Sequence, residues 1–193
     1  IEGTDVTMDE PVRVCSIKLP DNNLRGPLPD NLDTLRDCST VDMGYNDLVG
    51  GVPEALLRMQ RLVLLDLGNN PRLGGRLPCP LPGPDPAVGG GEAPVCMLLV
   101  LSLCNCGLEG PIPPQLLKLL SHTLAHLNLD GNALEGEIPN EVGEMTNLQT
   151  LRLGDNQLEG SCPPGLLALM DEGNADSELK LCVLEGNEGL VAS

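Results

Sequence analysis

One frame recurs along the chain and limits what it can fold into: Leu-x-x-Leu-x-Leu-x-x-Asn-x-Leu-x-Gly-x-Ile-Pro, with a period of roughly 24 residues. The fifth copy is nearly ideal, with Leu124, Leu127, Leu129, Asn132, Leu134, Gly136, Ile138 and Pro139. Earlier copies open at Val14, Cys38, Leu62 and Leu98, and a sixth opens at Leu148. A partial seventh keeps Leu179, Cys182, Leu184, Asn187 and Leu190. The third copy carries one extra residue after its Asn. Alternation at Leu-x-Leu makes a short strand with its Leu side chains on one face. One such strand cannot bury that face alone, so the copies must stack into a parallel sheet around a shared interior. The Asn slot holds Asn22, Asn46, Asn70, Cys106, Asn132, Asn156 and Asn187. A short amide there can satisfy backbone groups that no strand partner reaches, which predicts a ladder from copy to copy.

Composition fits this and excludes much else. The 193 residues include one Tyr and neither Phe nor Trp, while Leu makes up about a fifth. Stacked Leu levels replace the aromatics that usually fill a globular core. With 11 basic against 28 acidic residues the formal net charge is -17, which repels nucleic acids and anionic membranes. The longest apolar run, Met97 to Leu103, is too short to cross a bilayer. Ile1 opens the chain without the basic patch and apolar run of a leader peptide. Eight cysteines lean toward an oxidising compartment.

In period and in its Leu-x-Gly-x-Ile-Pro tail, the frame resembles the plant-type leucine-rich-repeat family, including receptor ectodomains and polygalacturonase-inhibitor-like proteins. The resemblance spans about Val14 to Leu190. It implies an α/β solenoid, a right-handed superhelix of about seven repeats with a parallel concave sheet. It also implies recognition of peptides, extracellular proteins or cell-wall enzymes, in a secreted protein or an ectodomain. Residues 1–193 are expected to form a single solenoid: 1–13 a degenerate cap, 79–96 an insertion loop, 171–193 a partial last repeat. Convex helical stretches are expected at 54–61 and 114–120.

The stretch from Pro80 to Pro94 is rich in Pro and Gly and has little to bury. Cys79 and Cys96 flank it, and a disulfide there would staple its base. Cys15 with Cys38, and Cys162 with Cys182, are further candidate pairs.

Positions between the inward Leu residues form the exposed sheet face. From it we select Asp42, Tyr45, Asp66, Asn69, Asn105, His126, Asn128, Asp130, Arg152 and Asp155 as partner-binding candidates, with Tyr45 and Arg152 foremost because hot spots favour these residue types. Asn128→Ala is expected to leave stability unchanged. His122 and His126 lack the helical context and the Glu of a zinc motif, so no metal or cofactor is expected. No nucleophile elbow, phosphate loop or acid–base pair is present, so the chain reads as non-catalytic. The expected function is binding of a protein or peptide partner through the concave face. The alternative is an architectural subunit docked in a larger complex, in an organelle lumen.

Overall fold

The computed structural model describes residues 13–79, 96–171 and 173–191. Seven three-residue strands carry the Leu-x-Leu cores: β1 (Ser16–Lys18), β3 (Thr40–Asp42), β5 (Leu64–Asp66), β6 (Val100–Ser102), β8 (His126–Asn128), β10 (Thr150–Arg152) and β12 (Leu181–Val183). They form one parallel sheet in the order β1-β3-β5-β6-β8-β10-β12. Each strand meets its neighbour at the same place in the frame, as in Leu65↔Leu101 and Leu101↔Leu127. The protein is thus an α/β solenoid.

The tails build additional parallel sheet on the flank. β7 (Glu109–Gly110), β9 (Ala133–Glu137), β11 (Gln157–Ser161) and β13 (Gly189–Val191) form a four-stranded sheet, and β2 (Arg25–Pro27) pairs with β4 (Asp47–Val49). The frame is read as a bend at this point, but coils stacked at about 4.8 Å bring extended tails into pairing distance. Pairing lapses at the third coil, where the extra residue lies and a single Arg76↔Glu109 bridge remains.

The return path on the convex side is helical. It contains 3-10 turns at Leu32–Thr34, Glu54–Arg58 and Asn140–Glu144, and two seven-residue helices, α1 (Pro114–Leu120) and α2 (Pro164–Met170). Both helices begin at a Pro in the first turn, where its missing N–H costs no hydrogen bond. Leu116, Leu117 and Leu120 of α1 close the interior opposite the sheet. Leu65, Leu67, Leu98, Leu103, Leu108, Leu120, Leu124 and Leu158 are all fully buried. Arginine–aspartate pairs stitch the rims, with Asp37 between Arg13 and Arg61 and Asp47 between Arg25 and Arg72. The Arg side chains are more than half exposed, so these pairs contribute little.

The expected cap at 1–13 and the loop at 80–95 lie outside the described residues, Arg13 excepted. None of the three cysteine pairs is bonded in the structure, where all eight cysteines are free thiols. The Ser16↔Thr40 register sets Cys15 opposite Ser39, whereas Cys38, one residue earlier, faces the interior and is fully buried. Cys15 is exposed where Cys38 is buried, and both are free thiols. Cys79 is exposed and Cys96 is buried. Cys162 and Cys182 face the interior from the tail and the sheet. Burial pushes Cys182 up to about 11, with a smaller contribution from Cys162, and burial also raises Cys162. A thiol held protonated attacks slowly. Burial likewise takes Cys106 to about 12 and raises Cys96. Iodoacetamide at pH 8 should therefore modify the exposed Cys15 and Cys79 well before Cys96 or Cys106 in the native protein. Peptide mapping against time checks the order, and equal rates would contradict this packing.

Candidate binding face

The Asn slot lines the inside of the turn that follows each strand. Asn46 Oδ1 accepts the N–H groups of Asn22 (3.0 Å) and Leu24 (2.9 Å), while Nδ2 donates to the carbonyls of Leu19, Met43 and Gly44. Asn70, Asn132, Asn156 and Asn187 repeat the arrangement at the third, fifth, sixth and seventh coils, each accepting from the preceding coil and donating to its own and the preceding turn. At the open end, Asn22 reaches only the Pro20 carbonyl and is exposed. Cys106 donates its thiol to the Leu67 carbonyl at 3.1 Å. Its sulfur is a weak acceptor, and the third coil takes another route, in which Gly74 N–H donates to the Cys106 carbonyl. The extra residue of the third coil makes that detour.

On the exposed side the ten candidates fall into four columns. His126 stands in the first, which runs Ser16, Thr40, Leu64, Val100, His126, Thr150 and Leu181. Asp42, Asp66, Asn128 and Arg152 share the second with Lys18, Ser102 and Val183. Asp130 lies two residues further on, and Tyr45, Asn69, Asn105 and Asp155 form the fourth column at the turn. Successive turns are joined by Tyr45 N–H to Gly68 O, Asn69 N–H to Cys104 O and Asn105 N–H to Asp130 O.

The second column has a structural role that the periodicity hides. Asp42 Oδ1 accepts Gly44 N–H at 3.3 Å, Asp66 Oδ1 accepts Gly68 N–H at 2.8 Å, and Asn128 Oδ1 accepts Asp130 N–H at 3.1 Å. Each side chain caps its own turn, as Asp and Asn commonly do two residues ahead of a backbone N–H. Asn128 is therefore not dispensable, contrary to the expectation from sequence. Arg152 cannot cap its turn, and Asp130 supplies the function from the adjacent coil. Its Oδ1 takes Gly154 N–H at 2.7 Å while its Oδ2 holds Arg152 Nε at 2.6 Å. Arg152 is thus tied down by an ion pair.

The fourth column is left-handed throughout. Asp21, Tyr45, Asn69, Asn105 and Asp155 have φ between 50 and 59, and Gly131 and Gly186 are positive as well. Asp, Asn and Gly tolerate this region, whereas a bulky side chain does so under strain. Tyr45 is the exception to the column's composition, and it is 66% exposed. Asn69 and Asn105 are bonded to each other, Asn105 Nδ2 donating to Asn69 Oδ1 at 2.9 Å.

Aliphatic residues interrupt this face at two coils. At most coils the two residues ahead of the middle Leu are polar or small: Ser39 and Thr40, Ala125 and His126, Gln149 and Thr150. At the third and fourth coils they are Val63, Leu64, Leu99 and Val100, and Leu99 is 44% exposed. Their positions could be read off the frame, but their adjacency required reading neighbouring coils together. Among the described residues no three His, Cys, Asp or Glu side chains are grouped as metal ligands.

The leucine-rich-repeat family model matches residues 97–119, 123–145 and 147–169. The ectodomain of the Arabidopsis receptor kinase HAESA, crystallised with an N-terminally extended IDA peptide hormone, superposes with a TM-score of 0.70 at 29% identity over 92% of this chain. The chain's repeats and fold are similar to those of plant-type leucine-rich-repeat proteins. The chain spans 26% of the length of the HAESA ectodomain. The ectodomain of the Arabidopsis membrane receptor kinase GASSHO1/SCHENGEN3, crystallised with CASPARIAN STRIP INTEGRITY FACTOR 2, gives a TM-score of 0.62 at 28% identity, covering 91% of this chain and 21% of its own. A probable leucine-rich-repeat receptor-like serine/threonine-protein kinase of Arabidopsis thaliana is 38% identical over 52 residues, which is 27% of this chain and 7% of the kinase.

Proposed function

We propose that this solenoid is a non-catalytic recognition module that binds a peptide or protein segment across its concave sheet, on the extracellular side of a membrane or in a secreted protein. Tyr45 carries the reading. A left-handed tyrosine costs on the order of 1–2 kcal/mol relative to the Asn or Gly that its column otherwise prefers. Strain of this kind in an exposed aromatic side chain is retained where the ring has something to touch. Solved ectodomains of the same fold, HAESA among them, are complexes with peptide hormones, which supports a peptide as the partner class.

Tyr45→Asn should separate the two roles of this position. Asn matches Asn69 and Asn105 in the column, so the melting temperature should hold or rise by a few degrees, while partner binding falls. A drop in stability would remove the strain argument. To locate the face directly, a photo-crosslinking residue can be placed at Tyr45 and, as a control, at the exposed convex Glu144. Crosslinks to extracellular fluid of the source that form from position 45 and not from 144 support the concave face. Equal capture from both positions overturns it.

A further inference from the structure

We infer that the partner presents an extended segment with an aliphatic side chain two residues from a Lys or Arg, docked on the third and fourth coils. This rests on the concave-face reading above and narrows it to one site and one chemistry. Leu64 and Val100 are direct strand partners, and the Val63 carbonyl accepts the N–H groups of Leu99 and Val100. Leu64 and Val100 therefore stand side by side as an apolar step on adjacent coils, with the exposed Leu99 next to Val100 in the chain. Exposed aliphatic groups clustered in an otherwise hydrophilic face are the usual mark of a contact surface.

The carboxylates of Asp42 and Asp66 border this step. Asp66 lies two residues beyond Leu64 on the same strand and on the same face, with Asp42 opposite it on the neighbouring strand. Each uses Oδ1 on its own turn, and among the described residues neither carboxylate has an ion-pair partner. Like charges directly opposite one another on paired strands repel, so a cation placed between them gains from both. In β5, Leu64 and Asp66 are about 6.6 Å apart along the strand, and side chains two apart in an extended ligand have the same spacing. An aliphatic group on the step thus places a basic group two residues away at the carboxylates, with the ligand running in either direction. The charge of -17 adds long-range attraction for a basic segment.

The test is a random nonapeptide display library panned on the full chain, followed by affinity measurements on enriched peptides. Two variants are built to keep the fold. Asp42→Asn with Asp66→Asn retains the Oδ1 acceptors, as Asn128 does at its own coil. Leu64→Thr with Leu99→Ser and Val100→Thr installs the residue types found at Thr40, Ser39 and Thr150. Enriched peptides should carry Leu, Ile, Val or Met two residues from Lys or Arg, and each variant should weaken them about tenfold or more. Enriched peptides without this pair, or peptides that bind both variants normally and respond only to Tyr45→Asn or Arg152→Ala, overturn this inference and leave concave-face recognition standing. A library that yields no peptide sensitive to any of these substitutions overturns both.

Discussion

Asn132→Ala should destabilise the protein by about 3 kcal/mol, a fall of roughly 6–12 °C in melting temperature for a chain of this size. Its Oδ1 accepts Cys106 N–H at 3.0 Å and Leu108 N–H at 3.1 Å, and Nδ2 donates to the carbonyls of Leu103, Leu129 and Asp130 at 2.9, 2.9 and 3.3 Å. Alanine leaves the Cys106 and Leu108 N–H groups and the Leu103 carbonyl without a partner, while the Leu129 and Asp130 carbonyls keep bonds from Asn156 Nδ2 and Asn105 N–H. Because the site is half-buried, water recovers part of the loss, which holds the cost below the sum of five deleted bonds. Asn128→Ala, four residues away, removes one bond to Asp130 N–H and should cost about 1 kcal/mol. Thermal denaturation of both variants checks the contrast. Equal losses would mean that the ladder is not what holds the turns.

Gly165→Ala should also be strongly destabilising, and here local and tertiary effects have opposite signs. Gly165 lies in the first turn of α2 with ordinary helical backbone. On propensity alone, alanine in a helix should stabilise by up to about 1 kcal/mol. An added Cβ would lie 2.5 Å from the Asn140 carbonyl oxygen and 2.9 Å from the Gly143 Cα. Both contacts are backbone, in the 3-10 turn of the preceding coil, so neither can swing aside. Gly165 N–H also donates to Asn140 Oδ1 at 2.8 Å, which ties the two convex segments together at closest approach. Overpacking should prevail, for a net loss of about 2–3 kcal/mol. Chemical denaturation of the variant checks the sign, and a gain in stability would show that the convex segments are not in contact.

The inward Leu positions, the strand register and the Asn slots were legible because each depends on spacing along one chain. A frame repeated at nearly constant length puts equivalent residues side by side once the coils stack. The exposed columns followed from the same rule, so the placement of Asp42, Asp66, Asn128 and Arg152 in one row needed no coordinates. What those side chains do was less legible. Asp42, Asp66 and Asn128 looked like free surface groups until their hydrogen bonds to turn N–H groups were seen, although Asp or Asn two residues ahead of a turn is a readable signal. Asp130 reaching across to cap Gly154 left no trace, because it substitutes for a residue 22 positions away. The cysteine pairs were not legible for a related reason: cysteine count is a property of the whole chain, whereas a disulfide needs two Cβ atoms at one short distance.

The amino-acid sequence alone determined that this chain stacks coils around a leucine interior and leaves a polar face outside, because hydrophobic spacing and turn residues act over a few neighbours. Only the tertiary structure decided which groups act on one another: Arg152 held by Asp130, Tyr45 strained at φ 56, and Gly165 pressed against Asn140. Those meetings depend on how one coil lies over the next, at separations of a few ångströms between residues 20 or more apart in the chain, and no periodicity encodes them.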